Sequence, residues 1–227
     1  MTPIPALVKI CGLSTPETLD AALGAGADMV GFVSYPRSPR HVDPAAAAAL
    51  GARVAGRAMK VALVVDAEDE TLAALVAALD PDLIQLHGRE TPERVAAIRA
   101  RFGRPVMKAV GVAGEADIAA ARSYLGAADR LLFDAKPPAD PSALPGGNGL
   151  AFDWRLIAGL DLPVPVMLSG GLDPENVAQA IRLTGVRGVD VSSGVESAPG
   201  VKDPRGITAF IAAARAAFAA ENQDAAP

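Results

Sequence analysis

The chain has 227 residues, of which 51% are hydrophobic and only 4% aromatic, and it carries a net charge of −5 at neutral pH. A single cysteine excludes an internal disulfide, and two histidines make a multi-histidine metal site a poor expectation. The acidic balance argues against nucleic-acid and anionic-membrane partners, and neither a signal peptide nor an uncharged apolar run of roughly 18 residues is found, so a cytoplasmic protein is expected.

Short apolar runs alternate with alanine-rich amphipathic runs along the chain. Strands are predicted at residues 6–11, 29–34, 60–65, 82–86, 105–110, 130–133, 164–168 and 186–191. Helices are predicted at residues 15–23, 44–55, 68–79, 91–101, 116–124, 153–158, 174–183 and 204–218, with a frayed tail at 219–227. The starts Ser14-Thr15-Pro16-Glu17 and Thr91-Pro92-Glu93 read as N-caps followed by proline and an acid in the first turn. Eight strand–helix units in this size of chain predict one α/β domain, a closed (β/α)8 TIM barrel. The alternative is an open doubly wound sheet. It calls for a glycine-rich turn after the first strand, and Gly12-Leu13-Ser14 lacks the required spacing.

Function in such a barrel lies where the strands end. Cys11, Asp66, Gln85, His87, Asp134, Ser169, Ser192 and Ser193 all fall there, whereas the opposite ends carry few polar groups. Strand alternation turns Val8 and Ile10 toward the helices and Lys9 and Cys11 into the barrel. On the eighth strand Asp190 and Ser192 face inward likewise. The first and eighth strands are neighbours in a closed barrel, so Lys9 and Asp190 are predicted to form a buried ion pair, a lone buried lysine being too costly. The pair reads as a structural element of the barrel floor or as an aid to a Cys11 thiolate.

Two glycine-rich loops follow. Ser169-Gly170-Gly171-Leu172 and Ser192-Ser193-Gly194-Val195 come after the seventh and eighth strands, the usual place of a phosphate site in this fold. A ligand bearing a phosphate is predicted, held by backbone and hydroxyl groups at Gly170, Gly171, Ser193 and Gly194. Plainer readings stand beside these: Cys11 as a small core residue, Asp134 as a cap or partner of Lys136, Arg40 as a solvated loop charge, and His87 as a structural hydrogen-bond group.

Several segments together resemble phosphoribosylanthranilate isomerases. They are Lys9-Ile10-Cys11-Gly12, Ser38-Pro39-Arg40, Gln85-Leu86-His87-Gly88, Leu131 to Lys136, Gly146-Gly147-Asn148-Gly149, Ser169 to Leu172, Asn176-Val177, Asp190 to Glu196 and Pro199-Gly200-Val201-Lys202-Asp203. Ser34 and Asn148 depart from the family's usual residues. The resemblance implies a barrel enzyme of tryptophan biosynthesis that converts N-(5-phosphoribosyl)anthranilate to 1-(2-carboxyphenylamino)-1-deoxyribulose 5-phosphate by an Amadori rearrangement, without metal or cofactor. It implies Cys11 as general base, Asp134 as general acid, Arg40 as the contact of the substrate carboxylate, the two glycine loops as phosphate contacts, and His87 as a candidate substrate contact. Asp134 must then hold a proton near neutral pH, while Cys11 needs only a modest downward shift to act as thiolate. The small-molecule partner is a phosphosugar, and monomer and homodimer both remain open. A related sugar isomerase of histidine biosynthesis would carry aspartates where Cys11 and Val110 stand. A barrel that binds a phosphorylated ligand without turning it over is the reading from another class.

Overall fold

A computed structural model describes residues 5–137 and 144–224 of the chain. Eight parallel strands close into a barrel in sequence order. They are β1 (Leu7–Cys11), β2 (Met29–Ser34), β3 (Met59–Val64), β4 (Leu83–Leu86), β5 (Val106–Val112), β6 (Arg130–Ala135), β7 (Val166–Leu168) and β8 (Gly188–Val191). Helices α1 (Pro16–Gly24), α2 (Pro44–Val54), α3 (Asp69–Leu79), α4 (Pro92–Phe102), α5 (Glu115–Ala121), α6 (Val177–Thr184) and α7 (Pro204–Asp224) lie on the connections.

The helix starts follow local chemistry. Thr15, Asp43 and Thr91 accept hydrogen bonds from the backbone N–H groups of Thr18, Ala46 and Arg94, and each is followed by proline, whose missing N–H costs nothing there. Strand alternation sorts the side chains. Val8, Ile10, Val30, Phe32, Ala62 and Ile84 pack outward into the main core under the helices. Met29, Val61, Leu83, Met107, Leu132 and Met167 fill the barrel interior. Lys9 and Asp190 stand directly across the β1–β8 ladder, and the Lys9 ammonium donates to Asp190 Oδ1 at 2.8 Å, the pair fully buried.

Several boundaries differ from the sequence reading. β7 begins at Val166 rather than residue 164, because Pro165 has only its carbonyl to offer, and that accepts from Leu131 N. α6 begins at Val177 rather than residue 174. Residues 173–176 close on themselves instead: Asp173 Oδ1 accepts from the N–H groups of Glu175 and Asn176, and Asn176 Oδ1 accepts from Asp173 N. The predicted helix at 153–158 is one 3₁₀ turn, Trp154–Ile157. The last helix runs to Asp224, so the tail predicted to fray from residue 219 is helical through 224, and 225–227 lie outside the described residues. A small hairpin, β9 (Glu196–Ala198) with β10 (Val201–Lys202), is added after β8. β6 continues through Ala135, with Gly111 of β5 opposite Asp134, so Asp134 sits in the barrel wall rather than in the following loop.

Candidate active site

Cys11, Arg40, His87, Asp134, Gly170, Gly171 and Ser193 line one cavity at the C-terminal ends of the strands. Gly194 does not line it. It packs behind the loop after β7, where a side chain would overlap the Leu172 carbonyl. The loop glycines are conformational necessities: Gly170 and Gly171 have φ of 84° and 67°, consecutive left-handed residues that a side chain would strain.

Cys11 is the last residue of β1 and is only 4% exposed. Gly31 on β2 makes room for it, since a Cβ there would lie 2.9 Å from Cys11 Sγ and 3.2 Å from Lys9 Nζ. Burial pushes the Cys11 thiol up, against the opposing pull of the Lys9 ammonium. The base role read from the sequence needs a modest downward shift, and burial works against it. Depth in the barrel outweighs one neighbouring charge. Burial also pulls Lys9 down, but Asp190 and then Cys11 outweigh it, and Lys9 stays protonated.

Asp134 is 6% exposed. Its Oδ1 accepts from Ala135 N at 2.8 Å and its Oδ2 lies 3.1 Å from His87 Nε2. It does not pair with Lys136, which binds Asp117 at 2.9 Å. His87 Nδ1 in turn lies 3.0 Å from Gln85 Nε2. Both ring nitrogens therefore have partners within the protein, and His87, a candidate substrate contact, lines the cavity as a neighbour of Asp134. The His87 backbone is clamped from behind: Lys108 Nζ donates to the carbonyls of Leu86 and Gly88 on either side of it and pairs with Glu90 at 3.0 Å, both side chains buried. Asp66, a weaker candidate in the sequence, accepts from Arg89 N and serves the same loop.

Arg40 is not a solvated loop charge, being 5% exposed. Nor is its fork empty. Nε and Nη2 donate to the two Glu196 oxygens at 2.7 and 2.8 Å, and Nη2 also donates to Gly147 O at 3.2 Å. Glu196 thus occupies the Nε–Nη2 edge of the guanidinium, which leaves Nη1 without a hydrogen bond among the described residues. Lys202 completes this cluster, donating to Glu196 Oε1 at 2.6 Å and to Ser192 O at 2.9 Å. Burial raises Glu196, but Arg40 and Lys202 outweigh it and hold the carboxyl below its ordinary value. Burial pulls Lys202 down despite Glu196. Glu196 and Lys202 fell within segments quoted above but were given no role; Arg40, which ties Glu196 into the site, lies 156 residues away, and no local pattern announces it.

The sequence model of the N-(5′-phosphoribosyl)anthranilate isomerase family matches residues 8–213. The chain belongs to this family. An N-(5′-phosphoribosyl)anthranilate isomerase of Azorhizobium caulinodans is 66% identical over 213 residues, covering 94% of this chain and 93% of that one. The solved phosphoribosyl anthranilate isomerase of Thermotoga maritima superposes with a TM-score of 0.83 at 37% identity, covering 93% of this chain and 99% of that one. A phosphoribosyl anthranilate isomerase solved with reduced 1-(o-carboxyphenylamino)-1-deoxyribulose 5-phosphate gives a TM-score of 0.79 at 36% identity, with the same coverages.

The glycine loop after β6 closes over this isomerase site. Asn148 Nδ2 donates to Leu144 O at 2.8 Å, a side-chain bridge across the loop. A Cβ on Gly146 would lie 2.6 Å from His87 Nε2 and 2.8 Å from Asp134 Oδ2. Gly146→Ala is therefore expected to part the His87–Asp134 contact and lower kcat by about tenfold or more, since misplacement of about 1 Å can cost that much. Its denaturation midpoint should stay near that of the parent. Steady-state kinetics beside a urea titration checks both.

Proposed function

We propose that the chain is an isomerase converting N-(5-phosphoribosyl)anthranilate to 1-(2-carboxyphenylamino)-1-deoxyribulose 5-phosphate in tryptophan biosynthesis, with Asp134 as general acid and Cys11 as general base. The observation that carries this reading is the single cavity shared by an acid, a thiol, an arginine and two glycine loops in a chain of this family. In the first step Asp134 gives a proton to the furanose ring oxygen as the ring C1′–O bond breaks, leaving an iminium between C1′ and the anthranilate nitrogen. The Cys11 thiolate then takes the C2′ proton, and the electron pair flows to the iminium nitrogen. The enolamine so formed tautomerises to the ketone.

The order of these steps answers the upward push on Cys11. The iminium charge formed in the first step lies one bond from C2′. It acidifies that C–H and, with Lys9, favours the thiolate at the moment it is needed. The substrate would be gripped at both ends, its phosphate by the loops carrying Gly170, Gly171, Ser193 and Gly194 and its carboxylate by Arg40. Of the four, Gly194 supports the loop from behind. Two anchored ends fix the sugar between acid and base. The scheme uses side chains of one chain alone, which suits a cytoplasmic enzyme working as a monomer or a homodimer.

The test is the fluorescence of phosphoribosylanthranilate, which should be lost on adding purified protein. Persistent fluorescence at saturating protein contradicts the reading and favours a barrel that only binds. Arg40→Lys is expected to raise KM about tenfold or more with kcat within a few-fold. A lysine can satisfy Glu196 but cannot bridge it to a second carboxylate, and a charge-assisted hydrogen bond contributes roughly 1.5–3 kcal/mol.

A further inference from the structure

Gln85, His87 and Asp134 form a line of hydrogen bonds of which the proposed reaction uses only the last member. Gln85 is fully buried inside the barrel on β4. Its Nε2 lies 3.0 Å from His87 Nδ1, and His87 Nε2 lies 3.1 Å from Asp134 Oδ2. The other end of the amide, Oε1, is buried and without a hydrogen-bond partner among the described residues. A buried amide oxygen left unpaired needs a reason.

The reason comes from counting protons. An amide N–H₂ can only donate, so with Nε2 facing the ring His87 must accept at Nδ1 and carry its proton on Nε2. That N–H then donates to Asp134 as a carboxylate. In this state Asp134 has nothing to give. A general acid needs one more proton in the pair. Asp134 Oδ1 accepts from Ala135 N, which disfavours a proton there, so the added proton sits on Oδ2, with His87 Nε2 accepting, or on His87 as imidazolium; in both cases Nδ1 bears an N–H. An amide N–H₂ cannot face it, whereas Oε1 can accept from it.

We propose that Gln85 is the positioning residue of the general acid: turning its side-chain amide brings Oε1 to His87 Nδ1 and lets the His87–Asp134 pair hold the proton that is delivered to substrate. The turn breaks no hydrogen bond at the Oε1 end, and the two ends of an amide are nearly the same shape. When the ring C–O bond breaks, its electron pair stays on oxygen, the proton leaves the pair for that oxygen, and Asp134 remains as carboxylate. Water returns a proton to the pair and accepts the one that Cys11 took from C2′. The inference rests on Asp134 being the general acid.

The charged and titratable groups around the pair have partners of their own. Arg40, from the loop after β2, is bound to Glu196. Lys9 of β1 is bound to Asp190 of β8, and Cys11 lies beside Lys9. Lys108 of β5 is bound to Glu90 behind β4, and Asp66, from the loop after β3, accepts from Arg89 N. Lys136, two residues beyond Asp134, is bound to Asp117. Gln85 is the neutral group that can answer a change at His87 by turning in place.

The chain has two histidines, so ¹⁵N-imidazole resonances can be followed through a pH titration of the ligand-free enzyme, with His41→Asn to assign them. Wild type is compared with Gln85→Glu, which always presents an acceptor, and Gln85→Met, which never does. The His87 midpoint should rise by about one pH unit or more in Gln85→Glu and fall by a similar amount in Gln85→Met. The limb of kcat/KM that coincides with the midpoint should move with it. A purely structural Gln85 would lower the rate at every pH and leave that limb in place. An unchanged midpoint, or a midpoint that moves without the limb, overturns the proposal, and if Gln85→Met does not fold, wild type against Gln85→Glu still decides. Asp134→Asn separates the two readings. Turnover retained in that variant removes the acid assignment on which the proposal rests, whereas turnover lost with an unmoved His87 midpoint removes only the role of Gln85.

Discussion

Asp134→Asn and Cys11→Ala are each expected to lower kcat by about 10²–10⁴-fold, the usual contribution of a positioned acid or base. Neither change should unfold the barrel. Asparagine keeps an oxygen for Ala135 N, which Asp134 Oδ1 now binds at 2.8 Å. Alanine at residue 11 removes one sulfur atom from a site where Gly31 already leaves space around Sγ. The two side chains act in successive steps, so the double variant should be limited by its slower step rather than showing the product of the two losses. A Cys11→Ala enzyme that turns over at the parental rate removes the base assignment, and an active Asp134→Asn enzyme removes the acid. Because burial pushes the thiol up, kcat/KM of the parent should depend on pH in the range at and above the ordinary thiol value, and that dependence should vanish from the residual activity of Cys11→Ala.

The second large effect is on stability. Lys9→Met should cost about 3–5 kcal/mol, because it leaves the Asp190 carboxylate buried without its cation. The loss should lower Tm by roughly 10 °C, given the usual 2–4 °C per kcal/mol for chains of this size. Ser169 Oγ, 3.3 Å from Asp190 Oδ2, is too weak a partner to compensate, and Asp190→Asn should cost a similar amount for the converse reason. The double variant Lys9→Met/Asp190→Leu should recover much of the loss, since an apolar pair of similar volume often matches a buried ion pair. Equal losses in the single and double variants would contradict this. Lys9→Met also removes the charge that favours the thiolate, so Cys11 should ionise at a still higher pH. With one cysteine in the chain, ultraviolet thiolate absorbance reads that change directly.

The parts of the molecule readable from sequence are those set by short-range pattern. Period-two alternation turned Lys9 and Cys11 inward and Val8 and Ile10 outward, and the barrel brings Lys9 to Asp190 across 181 positions of sequence. Strand ends supplied Cys11, Asp134 and the two glycine loops, because the fold confines polar mouth residues to those positions. What escaped the sequence depends on depth and on side-chain partners far apart in the chain. The upward push on Cys11 follows from how completely the barrel covers it. The occupied edge of Arg40 follows from Glu196, 156 residues away. Lys108 points out of the barrel into an ion pair with Glu90, and an outward lysine on a strand carries no signal that it will be buried. The hairpin of β9 and β10 is too short for any periodicity to show.

The acid–base account is tested most directly by a crystal structure with a reduced product analogue bound. The account predicts the phosphate on the loops of Gly170, Gly171 and Ser193, the carboxylate on the free edge of Arg40, and C2′ about 3–3.5 Å from Cys11 Sγ, the separation at which reacting atoms are poised. The sugar oxygen derived from the furanose ring should lie within hydrogen-bond distance of Asp134. An analogue bound with its ends exchanged, or with C2′ turned away from Cys11, would contradict the assignment of both groups.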